Sequence, residues 1–247
     1  DAMSREGDAN TDAQNLLLQQ GAVHLLHTLA CVPYKSIGSG GLGIPLWAIR
    51  KRGLLDTFLK TCKLAFRLLK QMCRQNGAIK VVLADFIPDM SPLLGGELKI
   101  ANTMREVYDD NRELLYAVTD ELVQDLVNLM KGNRYPRFME FLFVFCECHD
   151  DPIPANQNRI ARLLFVENNH ILLPVSVGTQ DIMIGEVMVG MLGDCDELML
   201  KDTSMLSEEQ LQFRFYIESL KCMRALCLGR NTKCVDILLM SAERLGV

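Results

Sequence analysis

At 247 residues, 49% of them hydrophobic, 23% charged and only 6% aromatic, the chain holds enough apolar material for a buried core without a disulfide or metal staple, which excludes a disordered polymer. Its net charge of −5, from 26 Lys and Arg against 31 Asp and Glu, excludes general nucleic-acid binding, because neutralising phosphates takes a basic surface. No apolar run approaches the roughly 18–20 residues of a membrane span, so no membrane contact is expected, and most of the nine cysteines sit in apolar helical runs, as reduced cytosolic thiols do.

Residues 1–14 are small and polar and read as a flexible tail, and the DAMSREG opening and SAERLGV finish read as a piece of a longer protein. From Asn15 the run LLLQQGAVHLLHTLA predicts a helix carrying Gly21, stopped at Pro33 and followed by the glycine-rich loop SIGSGGLGIP. The longest helix is predicted over Leu54–Arg74, where Leu55, Phe58, Leu59, Cys62, Phe66, Leu69 and Cys73 recur at steps of three and four. Further helices are expected at Ala78–Ile87, Gly96–Tyr108, Asn111–Val118, Asp120–Lys131, Pro136–Cys148, Ala155–Phe165, Ser207–Leu228 and Thr232–Arg244. The stretch 169–200 breaks this pattern with β-branched runs, Pro174 and four glycines, and reads as an irregular insertion.

Short polar turns bearing Asn or Gly recur between these helices, as in RQNGAI, DDNREL, ANQNRI and GRNTKC. Their spacing, about 34 and then about 45 residues, is that of armadillo and HEAT arrays, in which each helix pair buries its apolar face only by stacking on its neighbours. The predicted fold is therefore all-α, an armadillo/HEAT-like helical solenoid over 15–247 with one irregular insertion. Leucine and methionine are expected to fill its inter-helix seams in place of aromatic residues.

Enzymatic chemistry finds little support. Gly38-Ser39-Gly40-Gly41-Leu42-Gly43 spells the dinucleotide fingerprint, but a helix precedes it, Pro45 follows, and no acidic residue stands about twenty positions on. Cys146, Cys148 and His149 lack the second ligand pair of a zinc site and read as core thiols ending a helix. The acidic pairs at 109–110, 120–121, 150–151 and 208–209 lie at predicted helix ends, where carboxylates cap. There is neither an H-E-x-x-H nor a G-x-S-x-G motif, so no enzyme, cofactor or metal is expected.

The charge pattern is more informative. Lys60, Lys63, Arg67, Lys70 and Arg74 are spaced 3, 4, 3 and 4 on the longest helix, after Arg50-Lys51-Arg52, and at about 100° per residue they share one face away from the apolar stripe. The row is either an ordinary solvated face or a surface for an anionic partner, whether acidic protein, polyphosphate or lipid headgroup.

Five collinear blocks carry a family resemblance: CKLAFRLLKQMCRQN, TMREVYDDNRELL, KGNRYPRFMEFLFVFCECHDDPIPANQNRI, VENNHILLPV and FYIESLKCMRALCLGRNTKCVDIL. Together, over roughly residues 15–240, the chain resembles the armadillo-like helical domain of the inositol 1,4,5-trisphosphate receptor and ryanodine receptor family of calcium-release channels. The resemblance implies a non-enzymatic regulatory domain in a tetrameric channel on the cytoplasmic face of the endoplasmic or sarcoplasmic reticulum, with neighbouring domains and subunits as partners. It also implies one wall of an inositol-phosphate cleft whose other wall is a β-trefoil. The family's basic first-helix positions fall on His24 and His27 here, and its later basic cluster on Cys73-Arg74-Gln75, where only Arg74 keeps a full charge. The candidate ligand residues are thus Arg74, Lys70, Lys63, Arg67, His24 and His27. Both subfamilies stay open, and the alternative class is a free armadillo-type scaffold gripping an extended peptide or protein.

Overall fold

The computed structural model describes residues 11–31, 34, 53–94, 98–178, 182–189, 195–201 and 205–245. Its contacts divide the chain into two compact units, Asp1–Leu114 and Leu115–Val247. The fold is all-α apart from short strands.

In the first unit α1 (Thr11–Gln19) and α2 (Ala22–Cys31) lead into α3 (Gly53–Cys73), followed by α4 (Gly77–Ala84), α5 (Ile87–Met90) with a 3-10 turn at Ser91–Leu93, and α6 (Ile100–Tyr108); α7 (Arg112–Tyr116) runs across the boundary. The periodic stripe of α3 is the centre of this unit: Cys62, Phe66, Leu69 and Cys73 are buried with Ala65 and Met72, and α2 and α6 lie against them. Burying Phe66 alone contributes about 2–3 kcal/mol. The Thr103 hydroxyl on α6 donates to the Phe66 carbonyl at 2.9 Å, fixing the height of one helix on the other.

The tail expected at 1–14 needs correction where it is described. Helix α1 begins at Thr11, and Gln14 is buried, its amide donating to the Gln71 and Arg74 carbonyls at 3.0 Å each. The first is an end carbonyl of α3 and the second belongs to the residue just past it, where helical winding supplies no donor. A hydrogen-bonding role, not apolar periodicity, makes this segment helical, so the polar composition hid it. The single helix expected from Asn15 is two helices, because Gly21 takes a left-handed φ of +72°. Helix α6 likewise starts at Ile100, later than the expected Gly96, after Lys99 at a φ of +59°.

The second unit contains α8 (Asp120–Gly132), α9 (Pro136–Val144), a hairpin of β1 (Glu147–Cys148) and β2 (Asp151–Pro152), then α10 (Pro154–Ile160), which opens into a π-helical turn at Ala161–Val166. After a sheet come α11 (Cys195–Leu200), α12 (Glu208–Cys227) and α13 (Thr232–Leu245). Helix α9 lies mainly against α12, and α13 against the π turn. Phe138, Phe141, Phe145, Phe165 and Phe215 are all fully buried here beside Leu126, Met130, Met139, Leu142, Leu164 and Leu226, so aromatic rings share the middle of this unit with the expected leucine and methionine.

Two expectations change in this unit. The helix predicted over Pro136–Cys148 ends at Val144, and Cys148 belongs to the hairpin, whose turn residues His149 and Asp150 have φ of +50° and +61°. The Ile153 N–H donates back to the Cys146 carbonyl at 2.8 Å, which closes that turn. The insertion at 169–200 is ordered where it is described. Strands β3 (Val175–Val177), β4 (Ile182–Ile184) and β5 (Val187–Met188) form an antiparallel meander in that order, with Val175 opposite Ile184 and Met183 opposite Met188, and α11 follows. Ile184 and Val187 are buried, so the β-branched residues that interrupted the helical pattern are strand residues with one face covered.

Candidate functional site

Helix α3 sets the geometry of the basic row. Its buried stripe fixes the helix's rotation, which turns Lys60 and Arg67 to the exposed side and leaves Lys63, Lys70 and Arg74 half-buried along the flank. From residue 60 to 74 the row runs about 21 Å along the axis at 1.5 Å per residue. It climbs towards the helix C-terminus, where cations complement the exposed carbonyl ends. Arg74 follows the last helical residue, and its own carbonyl is held by Gln14.

The histidines are employed differently. His27 is buried, its ring stacked on Phe86 at 3.9 Å between centroids, and its Nε2 lies 2.9 Å from Asp89 Oδ2. His24, one turn earlier, meets the same Phe86 edge-on at 5.2 Å. The structure therefore brings His24 and His27 together as the seat on which Phe86 and α5 dock, and sets the five cations as a separate row on α3. Arg50-Lys51-Arg52 and the glycine fingerprint at 38–43 lie outside the described residues.

Among the described residues the thiols are core elements except Cys227, which is exposed. Cys146 touches the Cys222 thiol and donates to the Leu142 carbonyl at 3.6 Å, and this contact together with complete burial pushes it well above the usual thiol range. Burial, with Glu106 nearby, pushes Cys73 up to about 12, and burial raises Cys234 to about 11. Burial and the Cys62 thiol 3.7 Å from its hydroxyl likewise raise Tyr34. Groups held neutral in this way are poor nucleophiles and poor metal ligands.

Three features went unforeseen. Beside the cations on α3, Leu64 and Leu68 are 61% and 42% exposed. In the second unit a cavity of about 270 Å³ is lined by Leu172, Leu173, Tyr216, Met223, Leu238 and Leu239 among others. The Arg137 guanidinium lies over the Tyr135 and Phe138 rings at 4.6 and 5.0 Å, and burial lowers its pKa. Only the first had a signal in the sequence, since leucines four apart outside the buried stripe must face solvent. Among the described residues no helix is long and apolar enough to cross a membrane.

Helix laid on helix, short ordered turns and a linear row of cations define a helical domain that presents surfaces. Residues 2–177, well over half of the chain, match the model of the RIH domain, and the chain belongs to this domain family of the inositol 1,4,5-trisphosphate and ryanodine receptors. It is 27% identical over 170 residues to inositol 1,4,5-trisphosphate receptor-like protein A of Dictyostelium discoideum, a match covering 67% of this chain and 5% of that protein. It is 22% identical over 183 residues to the inositol 1,4,5-trisphosphate receptor itr-1 of Caenorhabditis elegans, covering 70% of this chain and 6% of that one. The chain thus spans about one-twentieth of the length of these relatives.

Proposed function

We propose that this chain is a non-enzymatic regulatory domain of a ligand-gated intracellular calcium-release channel, facing the cytoplasm at the reticulum membrane and carrying conformational change from a binding event towards the pore. The observation that carries this reading is the family match over residues 2–177, reinforced by two relatives named as trisphosphate receptors. Its partners are neighbouring domains and subunits of a tetramer, with Arg74 and the basic row contributing to an inositol-phosphate cleft or an equivalent anionic contact.

The physical basis is stiffness. Helix ends in both units are tied by buried side-chain amides: Gln14 and Asn76 bond to each other beside the end of α3, and Gln157 joins α10 to the end of α12 and, through Asn231, to the start of α13. Elements tied in this way move as bodies, so a displacement at one end arrives at the other instead of dissipating locally. The test places Gln157→Met in the full-length parent and measures ligand-evoked calcium release from vesicles. A shifted ligand response with unchanged expression supports the reading, and an unaltered response overturns it. Calorimetric titration of inositol trisphosphate into this domain joined to its native neighbour tests the cleft: heat at submillimolar ligand supports it, and none removes that part.

A further inference from the structure

We infer that the outward side of α3 is a docking surface for an acidic amphipathic helix supplied by a protein partner. The surface has two lanes. Lys60, Lys63, Arg67 and Lys70 form one, and Leu64 and Leu68, one turn apart, lie about 100° further round the helix and form the other. The broad apolar stripe of α3 is already spent on the core, so these two leucines are surplus to the fold. Leu25 and Leu29, 69% and 38% exposed and also one turn apart, stand on α2, which lies against α3. Exposed leucine pairs one turn apart on both helices put more apolar surface on this unit than its core uses, and surplus of this kind marks an interaction site.

Shape and charge select the occupant. Cations strung over about 15 Å, from Lys60 to Lys70, match a rod bearing carboxylates at steps of three and four, whereas a small polyphosphate needs donors converging on one point. A membrane surface wants a wide apolar face with aromatic anchors, and two leucines beside a cationic lane supply neither. A helix with Glu or Asp along one side and an apolar pair along the other satisfies both lanes at once. Charge is also segregated in the chain. Asp1–Leu114 holds fourteen Lys and Arg against twelve Asp and Glu, a net +2, while Leu115–Val247 holds twelve against nineteen, a net −7. The unit bearing α3 is therefore the one an acidic segment approaches without general repulsion.

The test uses the whole chain and a fluorescein-labelled synthetic helix of about 20 residues, long enough to span the row, with a glutamate lane and a leucine pair. A scrambled peptide of the same composition, phosphatidylserine-containing vesicles and inositol trisphosphate are the comparison probes. Anisotropy should show saturable binding at low salt, at least about tenfold weaker for the scrambled peptide and for each of the double variants R67E/K70E and L64S/L68S. Because these side chains are exposed or half-buried, circular dichroism of both variants should match the parent. No binding, equal binding of the scrambled peptide, or indifference to L64S/L68S overturns the inference. So does binding of vesicles or trisphosphate, but not of the peptide, that R67E/K70E abolishes. The inference does not need the channel reading: failed peptide binding leaves the calcium-release test untouched, and a silent release assay leaves the docking result standing.

Discussion

Replacing Gln157 by methionine keeps its length and removes its hydrogen bonds. The Gln157 side chain is fully buried; its Nε2 donates to the Ala225 and Leu228 carbonyls at 2.8 and 3.2 Å, and its Oε1 accepts from Asn231 Nδ2 at 2.9 Å. Two partners keep alternatives, since the Leu228 N–H still donates to the Ala225 carbonyl and Asn231 still donates to Asn158 Oδ1 at 3.1 Å. Three bonds at about 1 kcal/mol each, with one carbonyl left short of a donor, give a loss of about 3 kcal/mol. Urea denaturation should show the second unit's midpoint falling by about 1–2 M. Hydrogen exchange should speed roughly a hundredfold at the first turn of α13, where the Cys234 N–H rests on Asn231 Oδ1. A loss below about 1 kcal/mol, or exchange in α13 no faster than before, would refute the view that this amide locks the helices.

Further substitutions probe other joints. Gln157→Glu faces a carboxylate towards those same two carbonyls, so burial and repulsion raise its folded pKa; the deficit should be smallest below about pH 4 and grow as pH rises towards 7, and a pH-independent deficit would contradict this. Asn76 caps α4 by accepting from the Ile79 N–H at 3.2 Å and donates to Gln14 and Asn15, so Asn76→Ala should cost about 2–3 kcal/mol in the first unit's denaturation curve. Gly21→Ala and Gly229→Ala share a φ of +72°, but an added Cβ meets open space at Gly21 and clashes with Pro152 Cγ at Gly229; the first should cost about 1 kcal/mol and the second at least about 2, and equal costs would be the refuting result. Brief iodoacetamide treatment at pH 8 should modify Cys227, which is exposed, well before Cys73 or Cys146, as peptide mapping would show.

The helices could be read from the sequence where one stripe had to be buried. The α3 pattern predicted Leu54–Arg74 and the structure has Gly53–Cys73, because seven apolar positions at helical spacing leave no other rotation. The recurring asparagines were also informative: Asn76, Asn111 and Asn231 each cap the helix that follows, accepting the N–H three residues on. Gln14 left no periodic trace, because its role is to satisfy carbonyls some 60 residues away. The hairpin after α9 was hidden by CECH, whose thiols are as apolar as helix residues; its turn uses positive φ at His149 and Asp150, residue types that enter that region more readily than most but carry no glycine to mark it. The basic row was visible as a pattern, but the use of His27 was not. Only the fold brings Phe86 and Asp89, some sixty residues on, against its ring.

The π-helical turn at Ala161–Val166 holds one residue more than α-helical winding would place there. Val166 is left outside while Leu163, Leu164 and Phe165 point into the core, and Asn168 donates to the Leu163 carbonyl at 2.7 Å as the widened turn closes. This segment therefore works as a phase adjuster. A residue inserted into regular α-helix turns everything downstream by about 100°, whereas a widened turn takes up the extra residue and leaves Leu163 to Phe165 on the side that meets α13. The segment thus does inside a packed helix what a loop does at the surface: it absorbs one residue of chain length while the residues that face the seam keep their places.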